Sequence, residues 1–151
     1  FWCYRHGLGS GNFGTVVQNG IFIALLLGYR DIELYGVDHT LLEGLCVDER
    51  NRLCRIRSHY YDNGAAQTAE PIYVNATDGH YYDAVPATPK PIFQKVPHRP
   101  YTMSVYLAEV AELFRGHEVL RDYARTLGAR IVNRTSHSMI DAYERRPVGE
   151  E

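Results

Sequence analysis

The chain has 151 residues, the size of one ordinary domain, with 45% hydrophobic and 23% charged residues in the usual globular range. Its net charge of −2 excludes the global basic field that draws proteins onto nucleic acid or an acidic membrane surface. Three scattered cysteines, Cys3, Cys46 and Cys54, form neither a disulfide framework nor a CxxC metal pair, which fits a reducing, cytoplasmic setting.

In chain order, Phe1 to Arg5 reads as a short strand, and because it opens without Met the chain reads as a truncated piece. A glycine-rich turn follows from His6 to Gly14. From Thr15 the apolar positions Val16, Val17, Ile21, Ala24, Leu25 and Leu27 take helical spacing, and Gly28 closes that helix. The apolar run Gly20 to Gly28 is too short to span a membrane, and no signal peptide precedes it. Asp31 to Asp38 alternates into a strand ending at a sheet's carboxyl edge. Strand, turn, helix and strand make a βαβ unit, which requires a parallel pair.

Leu45 to Arg57 predicts a hairpin turning at Asp48-Glu49-Arg50-Asn51. Residues Asp62 to Pro100 hold six of the seven prolines and little apolar periodicity, the pattern of a lid, binding loop or partner arm. Helical spacing returns at Tyr101 to Phe114, pauses near Gly116 and resumes over His117 to Leu127. Arg130 to Asn133 is a final strand and Ser138 to Tyr143 a closing helical turn. The segment His59-Tyr60-Tyr61-Asp62 recurs as His80-Tyr81-Tyr82-Asp83. Two such segments offer imidazoles and carboxylates to a metal, but no close-spaced ligand pair on one helix accompanies them, so no metal ligands are assigned.

Gly9-Ser10-Gly11-Asn12-Phe13-Gly14-Thr15-Val16 matches the kinase glycine loop at every position. A kinase needs a strand lysine soon afterwards, and the first Lys here is Lys90; His98-Arg99 runs into Pro100. The kinase reading fails. The same glycines fit a dinucleotide turn, with Asp38 placed to receive a ribose hydroxyl and helix N-terminal amides to hold phosphate. Gly9, Ser10, Gly11, Asn12, Gly14, Thr15 and Asp38 are therefore the candidate nucleotide contacts. A tight turn that needs small residues for packing alone is the competing account.

Ala24 to Asp38, with its Gly28-Tyr29-Arg30-Asp31-Ile32 and Gly36-Val37-Asp38 segments, resembles the helix–strand signature of bacterial lipooligosaccharide sialyltransferases. It is also similar to the wider superfamily that holds the archaeal-type hydroxymethylpterin diphosphokinases. The tail, with Tyr123-Ala124, Ile131-Val132-Asn133 and Ser138-Met139-Ile140-Asp141, resembles the end of those domains. The resemblance covers about two-thirds of the chain, and the family's first strands would precede Phe1. It implies a Rossmann-like fold, a CMP-sugar donor and no metal cofactor for transfer. It also implies a histidine base, for which His98 stands near the family's position, and tyrosines that steady the departing phosphate, for which Tyr60 and Tyr61 match. His39 and Thr40 follow Asp38 where the family has a nearby tyrosine.

The resulting expectation is α/β: one Rossmann-like domain over residues 1–151, an open, mostly parallel sheet with helices, interrupted by a long Pro-rich loop or arm at 62–100. The expected activity is sialyltransferase-like glycosyl transfer in surface polysaccharide synthesis. Its partners would be a nucleotide-sugar donor and a glycan acceptor, with no nucleic acid, no membrane span and a homo-oligomer left open. The alternatives are a pterin-type diphosphokinase, which needs Mg²⁺, and a non-catalytic relative that binds a glycan or a partner chain.

Overall fold

The computed structural model describes residues 1–7, 9, 13–56, 69–75, 84–85, 92–93 and 98–149. The chain divides into two compact units, Phe1–Leu41 with Ala108–Glu151, and Leu42–Leu107. The first unit mixes helices with a parallel sheet. Among the described residues, no helix is long and apolar enough to cross a membrane.

The first unit opens on α1 (Trp2–Arg5), where a strand was expected. A four-residue apolar stretch carries too little periodicity to separate the two. The turn is closed by Arg5 N–H donating to Phe1 carbonyl, and Tyr4 packs edge-on against Phe22 and Tyr123. The anticipated βαβ unit therefore lacks its first strand.

Helix α2 (Val16–Leu26) begins where Thr15 Oγ1 accepts from Gln18 N–H at 3.3 Å. It ends in a Schellman motif: Gly28, at φ 96°, donates to Leu25 carbonyl, and Tyr29 N–H reaches back to Ala24 carbonyl. Helix α3 (Met103–Thr126) is continuous through Gly116, where a pause was expected. It ends in the same motif, with Gly128 at φ 65° and Ala129 N–H donating to Ala124 carbonyl. Each helix turns directly into a strand, α2 into β1 (Asp31–Leu34) and α3 into β9 (Arg130–Asn133).

These two strands pair in parallel, with Ile32 beside Ile131 and Leu34 beside Asn133. On the other side of β9, β10 (Glu144–Arg145) is also parallel, giving the order β1-β9-β10. The expected helical turn at Ser138 to Tyr143 is an irregular connection instead, because side chains of Asn133 and Ser138 take up the backbone groups a helix would use.

Strand alternation sends Ile32, Leu34 and Ile131 to one face, where they join Ile21, Phe22 and Leu25 of α2 and Leu120, Tyr123 and Ala124 of α3 in one apolar core. The opposite face carries Asp31, Glu33 and Arg130, and Arg134 pairs with Glu33 at 2.7 Å. Tyr35 hydroxyl and then Arg134 hold the Glu33 carboxyl below its ordinary pKa.

The second unit is a set of short antiparallel pairs. The predicted hairpin is present as β2 (Leu45–Val47) and β3 (Leu53–Ile56), with Cys46 opposite Cys54. Asp48 organises its turn by accepting from Arg50 and Arg52 N–H, while Asn51 takes φ 57°. Within the span expected to be a loop, β4 (Ala69–Pro71) extends this sheet, β5 (Tyr73–Asn75) pairs with β8 (His98–Pro100), and β6 (Ala84–Val85) pairs with β7 (Ile92–Phe93). Leu53 and Tyr101 are buried together, with Leu45, Ile72 and Tyr106 around them.

Candidate functional site

In an open parallel sheet, ligands gather beyond the carboxyl ends of the strands. Here that edge is formed by the segment after β1, Gly36 to His39, and by the segment after β9, Arg134 to Ser138. Helix α3 brings a third wall. The nine residue steps from His117 to Thr126, the end of α3, rise about 13.5 Å, roughly the length of a four-residue strand at 3.3 Å per residue. As α3 reverses into β9, His117 is carried level with the strands' carboxyl ends.

A buried and a half-buried imidazole, His117 and His39, meet there. His117 is completely enclosed, and its Nδ1 shares a 2.9 Å hydrogen bond with Tyr143 Oη. The His39 ring lies 5.0 Å from the His117 ring, centre to centre, at 60°. His39 holds a left-handed backbone, φ 51°, that a non-glycine residue adopts only under local constraint. Nε2 of both rings is buried without a hydrogen-bond partner among the described residues.

Burial, then repulsion from His39, pulls the His117 pKa down to about 4. Burial lowers that of His39 as well, opposed by the charge of Asp38. The Tyr143 hydroxyl is pushed up by its own burial. At neutral pH the group is thus two neutral imidazoles and a protonated phenol, able to accept a proton, exchange hydrogen bonds or ligate a metal.

Gln18 reaches α3 from α2. Its amide donates to Leu113 carbonyl at 2.6 Å, lies against Gly116 and leaves Oε1 buried without a partner among the described residues. Next to this group, Asn133 donates to Ser138 Oγ at 2.7 Å, and Ser138 donates to Val37 carbonyl at 2.7 Å. Asn133 Oδ1 accepts from Thr135 N–H, and Thr135 Oγ1 accepts from Val37 N–H. Together these bonds tie the segments after β1 and β9 into one rigid edge.

The predicted site residues divide between the two units. Gly9, Gly14, Thr15 and Asp38 belong to the first. Gly14 faces Leu113, and Thr15 caps α2. A chain of neighbouring residues leads from this end of α2 to the sheet edge: Gln18, one turn past Thr15, lies against Gly116, next to His117, which faces His39 beside Asp38. Ser10, Gly11 and Asn12 fall outside the described residues, as do Tyr60 and Tyr61. His98 belongs to the second unit, in β8 opposite Asn75.

Sequence reasoning missed His39, His117, Tyr143 and Gln18. A signal was present. His117 occupies the apolar stripe Val110, Leu113, Leu120, Ala124 of α3, and Gln18 the stripe Ile21, Phe22, Leu25 of α2; a polar residue on a core stripe requires a partner. A separate cleft of ≈ 280 Å³ is lined by Arg121, Arg125, Arg130, Tyr143 and Glu144 among others. Its arginines are already paired, Arg121 with Asp122 at 2.9 Å and Arg130 with Asp31 at 3.2 Å, so it presents no surplus of charge to a ligand. Among the described residues, no three or more His, Cys, Asp or Glu side chains converge as a metal centre.

No family model matches the chain, and no curated protein or solved structure matches it.

Proposed function

We propose that the chain is a Rossmann-like transferase that acts on a nucleotide-activated sugar, of sialyltransferase-like type, in surface polysaccharide synthesis. The observation that supports this reading is the position of Asp38 and His39, just beyond β1 at the carboxyl edge of a parallel sheet. The capped N-terminus of α2 is linked to them through Gln18, Gly116 and His117. A carboxylate there accepts ribose hydroxyls, and free helix N-terminal amides favour phosphate. The segment that carries the family resemblance, Ala24 to Asp38, is the one that builds this edge.

In this reading His98 takes the proton of the acceptor hydroxyl, and Tyr60 and Tyr61 donate to the departing phosphate. The test is transfer from CMP-sialic acid to a glycan acceptor, with donor binding followed separately by calorimetry. Asp38→Asn is expected to weaken donor binding about tenfold, the loss of one charged hydrogen bond. His98→Ala is expected to lose roughly 10²–10⁴-fold in rate with donor binding little changed. Wild-type rates in the His98 variant would remove the base, and a strict requirement for Mg²⁺ with diphosphate transfer would point to the diphosphokinase instead.

One observation favours a second reading, that of a partner-binding relative. Helix α2 carries no charged residue, and Val16, Ile23 and Leu27 stand exposed along one side of it. Absence of any turnover, with donor binding absent as well, would leave that reading standing.

A further inference from the structure

Three buried polar atoms in the first unit have no partner among the described residues: Nε2 of His39, Nε2 of His117 and Oε1 of Gln18. Buried polar atoms in folded proteins are satisfied with few exceptions, and a cluster of exceptions calls for an additional species between them. The His39 and His117 rings are 5.0 Å apart, centre to centre, and Gln18 leans on Gly116, the residue before His117.

We propose that His39 and His117 bind a late first-row divalent transition metal, zinc being the reference ion, between their Nε2 atoms, with Gln18 Oε1 as the third protein ligand. This site is independent of the transferase reading.

The ring spacing has the right size. Two imidazoles on a tetrahedral zinc, each at about 2.0–2.1 Å from the metal, keep their ring centres about 5 Å apart. Simple edge-to-face packing gives a similar distance, but packing alone accounts for neither orphaned nitrogen. The second shell agrees. A ligating histidine gives its other ring N–H to an oxygen, which fixes the tautomer, and His117 Nδ1 has Tyr143 Oη at 2.9 Å for that purpose.

The ligand chemistry narrows the ion. Two imidazole nitrogens and one amide oxygen, with no thiolate and no carboxylate, suit Zn²⁺, Ni²⁺ or Cu²⁺ and disfavour Mg²⁺ or Ca²⁺, hard ions that take oxygen rather than nitrogen ligands. Three protein ligands leave a fourth position for water or a substrate oxygen, the arrangement of catalytic rather than structural zinc. His39 is only partly buried, at the sheet edge, and gives the ion its route of entry.

The experiment titrates Zn²⁺, and Co²⁺ as its visible analogue, into the chelator-treated full chain, reading calorimetry and the Co²⁺ absorption between 500 and 700 nm, on the order of the usual tetrahedral window for such sites. One equivalent bound with an intense tetrahedral spectrum is expected. His39→Ala, at a partly exposed position, should weaken binding at least ~100-fold, and His117→Gln should do the same while keeping a hydrogen bond to Tyr143. Tyr143→Phe, which removes no ligand, should weaken it about 10–100-fold. No binding by the intact chain, or equal binding by the His39 and His117 variants, overturns the site.

Discussion

A Cβ placed on Gly116 would lie 2.5 Å from Nε2 of Gln18, an amide that is itself fully buried and hydrogen-bonded to Leu113 carbonyl. The glycine in the middle of α3 is thus the seat of a side chain arriving from α2.

That contact decides the sign of a substitution. Gly to Ala in a helix interior ordinarily gains about 1 kcal/mol. Here Gln18 cannot swing aside without giving up its bond to Leu113, and overpacking of this kind costs about 1–3 kcal/mol. Gly116→Ala is expected to destabilise by roughly 1–2 kcal/mol in urea unfolding. In a Gln18→Ala background the same change should turn neutral or stabilising, a coupling visible in a double-mutant cycle.

His117 makes the first unit sensitive to acid. Its folded pKa, about 4, lies below the ordinary histidine value of 6.5, so below pH 6.5 the unfolded chain binds a proton that the folded chain refuses. Stability is fully present above pH 6.5 and is lost progressively as pH falls through about 4. The loss should amount to about 3 kcal/mol at most. Urea midpoints measured from pH 7.5 to 4 in the presence of chelator should fall for the wild type and fall less for His117→Gln.

Ser138 is a junction: its hydroxyl accepts from Asn133 and from Ile140 N–H and donates to Val37 carbonyl. Ser138→Ala leaves the Asn133 amide group without that acceptor in a buried position, and a cost of about 1–3 kcal/mol is expected. Amide exchange at Ile140 should accelerate more than exchange in β1, which keeps its ladder with β9. Uniform acceleration across both would mean the bonds do not act locally.

The left-handed glycines ending the two helices offer a cleaner contrast. A Cβ on Gly28 or Gly128 would meet nothing within 4 Å, so substitution there tests backbone conformation alone. Alanine at either position is expected to cost about 1 kcal/mol, and asparagine, which tolerates this region, less. Thermal unfolding of the two pairs of variants checks the order.

Much of the first unit was legible because its signals are local. Thr15 as cap, the apolar positions of α2 and Gly28 beyond them lie within fourteen residues, and the structure follows them. The hairpin at Asp48 to Asn51 and the strand at Arg130 were readable for the same reason. The failures have non-local causes. The Phe1 to Arg5 segment is helical where Tyr4 reaches Tyr123, and Gly116 belongs inside a helix because Gln18 needs the space. The pairing of His39 with His117 joins residues from opposite sides of the second unit's sequence, and no spacing rule connects them. Of the nucleotide residues named from the glycine motif, Thr15 and Gly14 have visible structural work in capping and packing.

The ladder between β1 and β9 joins residues such as Asp31 and Arg130, 99 positions apart. During synthesis at about 5–20 residues per second, β1 waits roughly 5–20 s for its neighbour to leave the ribosome. The entire second unit, Leu42–Leu107, is made in that interval. The inserted unit is thus made while β1 still lacks β9, and His117 becomes available to His39 only once α3 has followed.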